Sequence, residues 1–236
     1  MIIRPVLRHT WLEVLRSPIR LTLIVLMLVP GWLFALLGQH FAPTSGGGFW
    51  LALILGAGII GRPASNGTLA LVLSRPVPRV SYVLTRWFAV ATLASALALL
   101  KLGVEALLTQ PSAAGWGHVG FAAAEDVLSA TCAAAVLTFL SSLVGGLGDV
   151  ALLAILRIVA KVLQGLGGFL SKPALSWLGY HLRDLLVPPL DLETVFRSTP
   201  ISWLAIVTYL STLTLCLAAA TEIMCRREIS YAGGGD

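Results

Sequence analysis

Long apolar runs, separated by short polar or Gly/Pro-rich segments, dominate the pattern of this chain. The first charge-free stretch covers 41 residues between Arg20 and Arg62, and turn-forming residues interrupt it at 38–48. Since about 20 residues cross the hydrocarbon core as a helix, this stretch predicts two spans, at 20–38 and 49–62. Later apolar runs predict four more spans, at 82–108, 120–147, 150–170 and 198–221.

The predicted fold class is an all-α integral membrane protein with six transmembrane helices. A membrane β-barrel needs segments of about 10 residues that alternate in polarity, and these runs are longer and apolar on all sides. Composition agrees, because 57% of the 236 residues are apolar and only 11% are charged, against about 25% charged in a soluble domain. A soluble enzyme and a nucleic-acid-binding protein are therefore excluded. The three cysteines predict neither a disulfide framework nor a metal site.

The distribution of Lys and Arg predicts that both termini are cytoplasmic. With six spans, the segments on the cytoplasmic side hold twelve of the sixteen cations. These are Arg4, Arg8, Arg16, Arg20, Arg62, Arg75, Arg79, Arg86, Arg157, Lys161, Arg226 and Arg227. The predicted extracytoplasmic loop at 171–200 holds only Lys172, Arg183 and Arg197.

Residues 1–19 predict an interfacial helix that precedes the first span. Leu7, Trp11, Val14 and Leu15 share one helical face, while several arginines on the other side favour lipid headgroups. The alternative is a simple basic flank of the first span.

The segment at 62–86 predicts a short cytoplasmic helix between the second and third spans. Leu69, Val72 and Leu73 recur at helical spacing, and Pro76 ends the run. Two turns of helix are roughly 11 Å long, which is too short to cross a membrane. Such an exposed apolar helix either binds a partner or packs back onto its own bundle, and the residues leave both possibilities open.

This segment strongly resembles the loop between the second and third spans of type-2 ATP-binding-cassette (ABC) transporter permeases. The matching residues are Gly67, Thr68, Leu69, Leu73, Ser74, Arg75, Pro76, Arg79, Tyr82 and Arg86. The basic tail at 226–231 and the Pro-rich stretch at 185–196 also resemble parts of that family. One departure is that Arg62-Pro63 stands where the family carries an acidic residue.

The resemblance implies one permease domain, 1–236, in a bacterial cytoplasmic (inner) membrane, acting as an exporter. The 62–80 part of the cytoplasmic loop (62–81) would be a coupling helix that docks on a cytoplasmic ABC ATPase, with Val72 joining the matched residues. The implied partners are two ATPase copies, a second permease subunit in a homodimer or heterodimer, membrane lipid and an extracytoplasmic accessory protein.

This chain is not expected to be an enzyme and needs no cofactor of its own. None of its lysines follows the glycine-rich pattern of a phosphate-binding loop, so ATP and Mg²⁺ are expected in the ATPase subunit. The alternative functions are a non-transporting membrane anchor for an ATPase that acts in assembly or remodelling, and an ion-coupled secondary carrier.

Six charged residues of the predicted spans are candidates for an intramembrane role: Lys101, Glu105, Glu125, Asp126, Arg157 and Lys161. Charges at this depth are costly and usually face the protein interior. The first four are interpreted as an ion-pair cluster that fixes packing, with a polar lining of the substrate path as the alternative. Arg157 and Lys161 either extend to the membrane surface or bind an anionic lipid or headgroup.

Overall fold

The computed structural model describes residues 2–37, 47–61, 63, 78–110, 113–144, 148–170, 172–186, 191–197 and 203–226. Within these ranges the regular structure is entirely helical. The helices are α1 (Arg4–Leu15), α2 (Pro18–Leu36), α3 (Gly47–Gly56), α4 (Arg79–Thr109), α5 (Ala113–Leu143), α6 (Gly148–Phe169), α7 (Pro173–Leu186), α8 (Leu192–Arg197) and α9 (Trp203–Arg226).

Four of these helices are long and apolar enough to cross a membrane. They are Arg79–Thr109, Gly115–Leu143, Gly148–Phe169 and Trp203–Arg226, and they correspond to the predicted third to sixth spans. The all-helical fold predicted from the sequence is therefore confirmed in the described part of the chain, and the four long apolar helices are compatible with a membrane protein. Pro18–Leu33 and Gly47–Gly56 are shorter apolar helices.

Helix α3 is largely buried and packs mainly against α4 and α5. Seven of its ten residues are buried, including Phe49, Leu51 and Leu55. Small residues permit the close packing, because a Cβ added to Gly56 would lie only 2.9 Å from Leu137 of α5. The spacing of Ala52 and Gly56 is compatible with either a dimer interface or internal packing. In the structure both residues pack inside the chain.

The predicted second span at 49–62 is interrupted in the structure. The α3 helix ends at Gly56, turns occupy 57–60, and residues 61 and 63 are helical again. The ten residues of α3 cover roughly 15 Å, about half of the hydrocarbon core. Gly58 has φ 69°, a left-handed conformation that glycine adopts without strain and that ends helical geometry. Of the predicted cytoplasmic loop at 62–81, residues 62 and 64–77 lie outside the described residues.

The predicted loop at 171–200 contains two helices. Helix α7 folds back along α6, and Gly167 of α6 packs against the backbone of Ser176, while Gly179 of α7 packs against Ala160 and Gln164. These glycines allow the two helices to touch. Helix α8 instead packs against α5.

Candidate functional site

The end of α3 continues into a short segment, residues 57–61, which we call the joint; turns occupy 57–60 and residue 61 is helical. Three other helices hold its backbone. Asp149 of α6 accepts a hydrogen bond from the Gly58 amide at 2.7 Å, and Ser141 Oγ of α5 accepts from Ile60 and Gly61 at 3.0 Å and 2.8 Å. Arg20 of α2 donates to the carbonyl of Ala57 at 2.7 Å.

The side chains that hold the joint are deeply buried. Asp149 and Ser141 are fully buried and Arg20 is 7% exposed. Buried hydrogen bonds to charged groups are stronger than neutral ones, and leaving a buried polar group unpaired is costly. The joint is therefore held in place at the end of α3.

The matched residues that the structure describes lie at the start of α4. Gly67, Thr68, Leu69, Val72, Leu73, Ser74, Arg75 and Pro76 lie outside the described residues. Tyr82 is fully buried, and the Arg86 side chain is 7% exposed. Arg79 donates hydrogen bonds to the carbonyls of Met224 and Cys225 at the end of α9, at 3.1 Å and 2.8 Å.

Arg86 connects α4 to the N-terminal helix. Its guanidinium lies 3.0 Å from a carboxylate oxygen of Glu13 and also bonds the Tyr82 hydroxyl at 3.2 Å. The Trp11 indole donates to the carbonyl of Ala89 at 3.0 Å. These contacts fix α1 across the start of α4, next to the predicted coupling segment. They give Tyr82 and Arg86 roles inside the chain, whereas ATPase docking by these residues stays a prediction.

Lys101, Glu105 and Asp126 form a buried group that we call the Lys101 cluster. Lys101 Nζ lies 2.9 Å from Glu105 Oε1, and both side chains are 11% exposed. Asp126 is 1% exposed, and it accepts a hydrogen bond from the amide of Gly48 at 3.3 Å. A side chain at Gly48 would collide with the backbone of Asp126. The arrangement supports the interpretation that these charges fix helix packing.

Glu125 does not belong to this cluster, although the sequence places it beside Asp126. Its carboxylate accepts a hydrogen bond from the amide of Leu192 at 2.7 Å, at the first residue of α8. His118 and Glu193 add a 2.7 Å contact between α5 and α8. At the exposed end of α8, hydrogen bonds from Thr194 hold the pKa of Asp191 below its usual value. Glu125 thus attaches α8 to α5.

Arg157 and Lys161 have different surroundings although they are one turn apart on α6. The Arg157 guanidinium lies over the Phe49 ring, 3.9 Å from its centroid. Lys161 is exposed. Neither residue forms a hydrogen bond or ion pair with a described residue.

Sequence reasoning missed the importance of Glu13, Arg20, Ser141 and Asp149. Arg20 and Asp149 were visible only as charges beside apolar runs, which is a common feature of span ends. Ser141 carries no signal of its own within a mostly apolar helix. A useful signal was the glycine pair around Ala57, because glycines within an apolar run indicate a break in helical geometry whose backbone groups need partners.

These features define an α-helical, membrane-embedded protein with a hydrogen-bonded joint at the end of α3. No known family model matches the chain, and no curated protein matches it.

Proposed function

We propose that this chain is the membrane-spanning permease subunit of an ABC exporter in a bacterial cytoplasmic membrane. It would work with a second permease subunit and two copies of a cytoplasmic ATPase, and both of its termini would be cytoplasmic. The ATPase would bind ATP and Mg²⁺, while this chain supplies the path through the membrane. In this proposal α2 and α3 join the four long helices to make six membrane-inserted helices.

The observation that carries the proposal is the position of the joint. The segment that resembles a coupling helix follows the joint at the end of α3. Side chains from α2, α5 and α6 hold the joint. A displacement of the 62–80 segment would therefore act directly on α3 and on three neighbouring helices. Movement of a rigid element at an interface is an established way to switch between two arrangements of a bundle.

A pull-down experiment tests the docking step. The double variant Leu69→Asp, Leu73→Asp removes two apolar side chains that would be buried at the ATPase. Together they are worth about 3–6 kcal/mol, at about 1.5–3 kcal/mol each, which corresponds to a drop of about a hundredfold or more in ATPase affinity. We expect the variant to insert in the membrane and to lose the ATPase during purification.

The matched control is the apolar double variant Leu69→Ile, Leu73→Ile, which should retain the ATPase. Full retention by a correctly inserted Asp variant would contradict docking through this loop. ATP-dependent transport by the reconstituted complex then separates a transporter from a membrane anchor, because an anchor would bind the ATPase without moving cargo.

Labelling of single cysteines tests the proposed orientation. Gly117 lies on an exposed part of α5 with open space around it, so Gly117→Cys should react with a membrane-impermeant thiol reagent added to intact cells. Ala70→Cys in the cytoplasmic loop should stay unlabelled until the membrane is opened. Both variants need a Cys225→Ser background, because Cys225 is exposed. The opposite pattern would invert the orientation.

A further inference from the structure

An exposed lysine lies deep along one candidate membrane span. Lys161 is twelve residues from Asp149 and eight residues from Phe169, or roughly 18 Å and 12 Å along the helix. It forms no hydrogen bond or ion pair with any described residue. A charge at this depth is costly in hydrocarbon, so it normally faces a polar partner or a water-filled space.

Extension of the Lys161 side chain to the membrane surface would remove little of this cost. Helical side chains lean toward the N-terminus of their helix. Lys161 therefore leans toward Asp149, which is the more distant end of α6, and away from the nearer end at Phe169. The direction of the side chain makes a partner within the membrane the better solution.

Positive charge accumulates at this place without matching negative charge. Arg157 lies one turn before Lys161, and Arg183 lies on α7, the helix that packs along α6. The neighbouring Asp184 bonds to Arg183 at 3.0 Å. In the described part of the chain no carboxylate lies within ion-pair distance of Arg157 or Lys161.

There is room for a ligand beside these cations. Gly165 and Gly168 follow Lys161 at four and seven residues, so they lie on the same helical face. A Cβ added to either glycine would meet nothing within 4 Å. Ile158 and Val162, both exposed, flank this face. The surface thus combines positive charge, open space and apolar contact area.

We propose that this face of α6 binds an anionic amphiphile, with the acidic group of the ligand held by Lys161 and Arg157. The apolar part of the ligand would lie along Ile158 and Val162. Charge complementarity favours an anion, and the apolar flank favours a lipid-like molecule over a free ion. The role of this ligand as cargo rests on the proposed function, whereas the binding does not.

The test compares lipids bound to the purified full-length chain by native mass spectrometry. Phosphatidylglycerol is the anionic probe and phosphatidylcholine is the zwitterionic reference. We expect the wild-type chain to prefer phosphatidylglycerol. Lys161→Met should reduce this preference about fivefold, which corresponds to about 1 kcal/mol per basic residue at 1.4 kcal/mol per tenfold. Lys161→Arg should preserve it.

The matched control is Lys172→Met, which removes an exposed lysine from the turn between α6 and α7. It should leave the lipid preference unchanged. An unchanged preference in Lys161→Met, or an equal loss in both methionine variants, would overturn the site. Inorganic phosphate that displaces the lipid at equal concentration would overturn the amphiphile part of the proposal.

A final arm separates binding from transport. If phosphatidylglycerol is a cargo, it should stimulate ATP hydrolysis by the complex of this chain with its ATPase. Lys161→Met should reduce that stimulation. Lipid binding without stimulation would refute the cargo role and leave the site intact. Failure of the ATPase to associate at all would instead contradict the proposed function and leave the lipid result valid.

Discussion

Lys101 and Lys161 are the same residue type on two candidate membrane spans, but their surroundings are opposite. Lys101 is buried and pairs with Glu105 at 2.9 Å on its own helix. Lys161 is exposed and has no polar partner among the described residues. The comparison shows that the role of a charged residue in an apolar helix can be interpreted only from the groups that pair with it. A paired, buried charge serves packing, whereas an unpaired charge deep within a membrane span normally faces a polar partner or water.

Removal of the carboxylate partner should have the largest effect on stability. Glu105→Gln leaves the charge of Lys101 buried, and breaking a buried ion pair in this way costs about 3–5 kcal/mol. We expect the lower end of that range, because Asp126 lies on the same side of Gly47 as Lys101. Denaturant unfolding in detergent measures the loss. The double variant Lys101→Met, Glu105→Leu should recover most of it, and an unchanged stability of Glu105→Gln would show that the pair is unimportant.

Removal of the Asp149 carboxylate at the joint should have the second-largest effect on stability. Asp149→Ala deprives the Gly58 amide of its buried acceptor, and leaving a buried donor unsatisfied costs about 1–3 kcal/mol. The same unfolding assay applies, and hydrogen exchange at residues 57–61 should increase. Asp184→Ala, which removes an exposed ion pair, is the control. If exchange at the joint does not change, Asp149 does not fix this backbone.

Neutralisation of the exposed lysine should have the smallest effect on stability. Lys161→Met breaks no intramolecular hydrogen bond or ion pair of a described residue, and such surface changes stay within about 0.5 kcal/mol. The measurement is unfolding of the delipidated protein in a neutral detergent. A loss comparable to that of Glu105→Gln would make Lys161 a structural residue and remove the contrast with Lys101.

The long helices could be predicted from the sequence because their signal is local. The predicted span at 82–108 agrees with the observed Arg79–Thr109, and the span at 150–170 agrees with Gly148–Phe169. A sufficiently long, uninterrupted apolar run predicts a membrane helix without information from the rest of the chain. The pairing of Lys101 with Glu105 was accessible for the same reason, since the two residues are four apart on one helix.

The end of α3 could not be predicted, because its determinants are distant in the chain. The amide of Gly58 bonds to Asp149, 91 residues later, and the amide of Ile60 bonds to Ser141, 81 residues later. An apolar pattern predicts continued helix through residue 62 and contains no information on these acceptors. Helix α7 was missed for a related reason: it is stabilised by glycine contacts with α6 and not by a long apolar run of its own.

The distance between the joint and its partners has a consequence for biosynthesis. When residues 57–61 leave the ribosome, Ser141 and Asp149 have not been made. At 5–20 residues per second, they follow roughly 4 to 18 s later. During that interval the amides of Gly58, Ile60 and Gly61 lack these acceptors. The joint therefore cannot reach its final geometry before α5 and α6 are in place, and its formation is a late event in maturation.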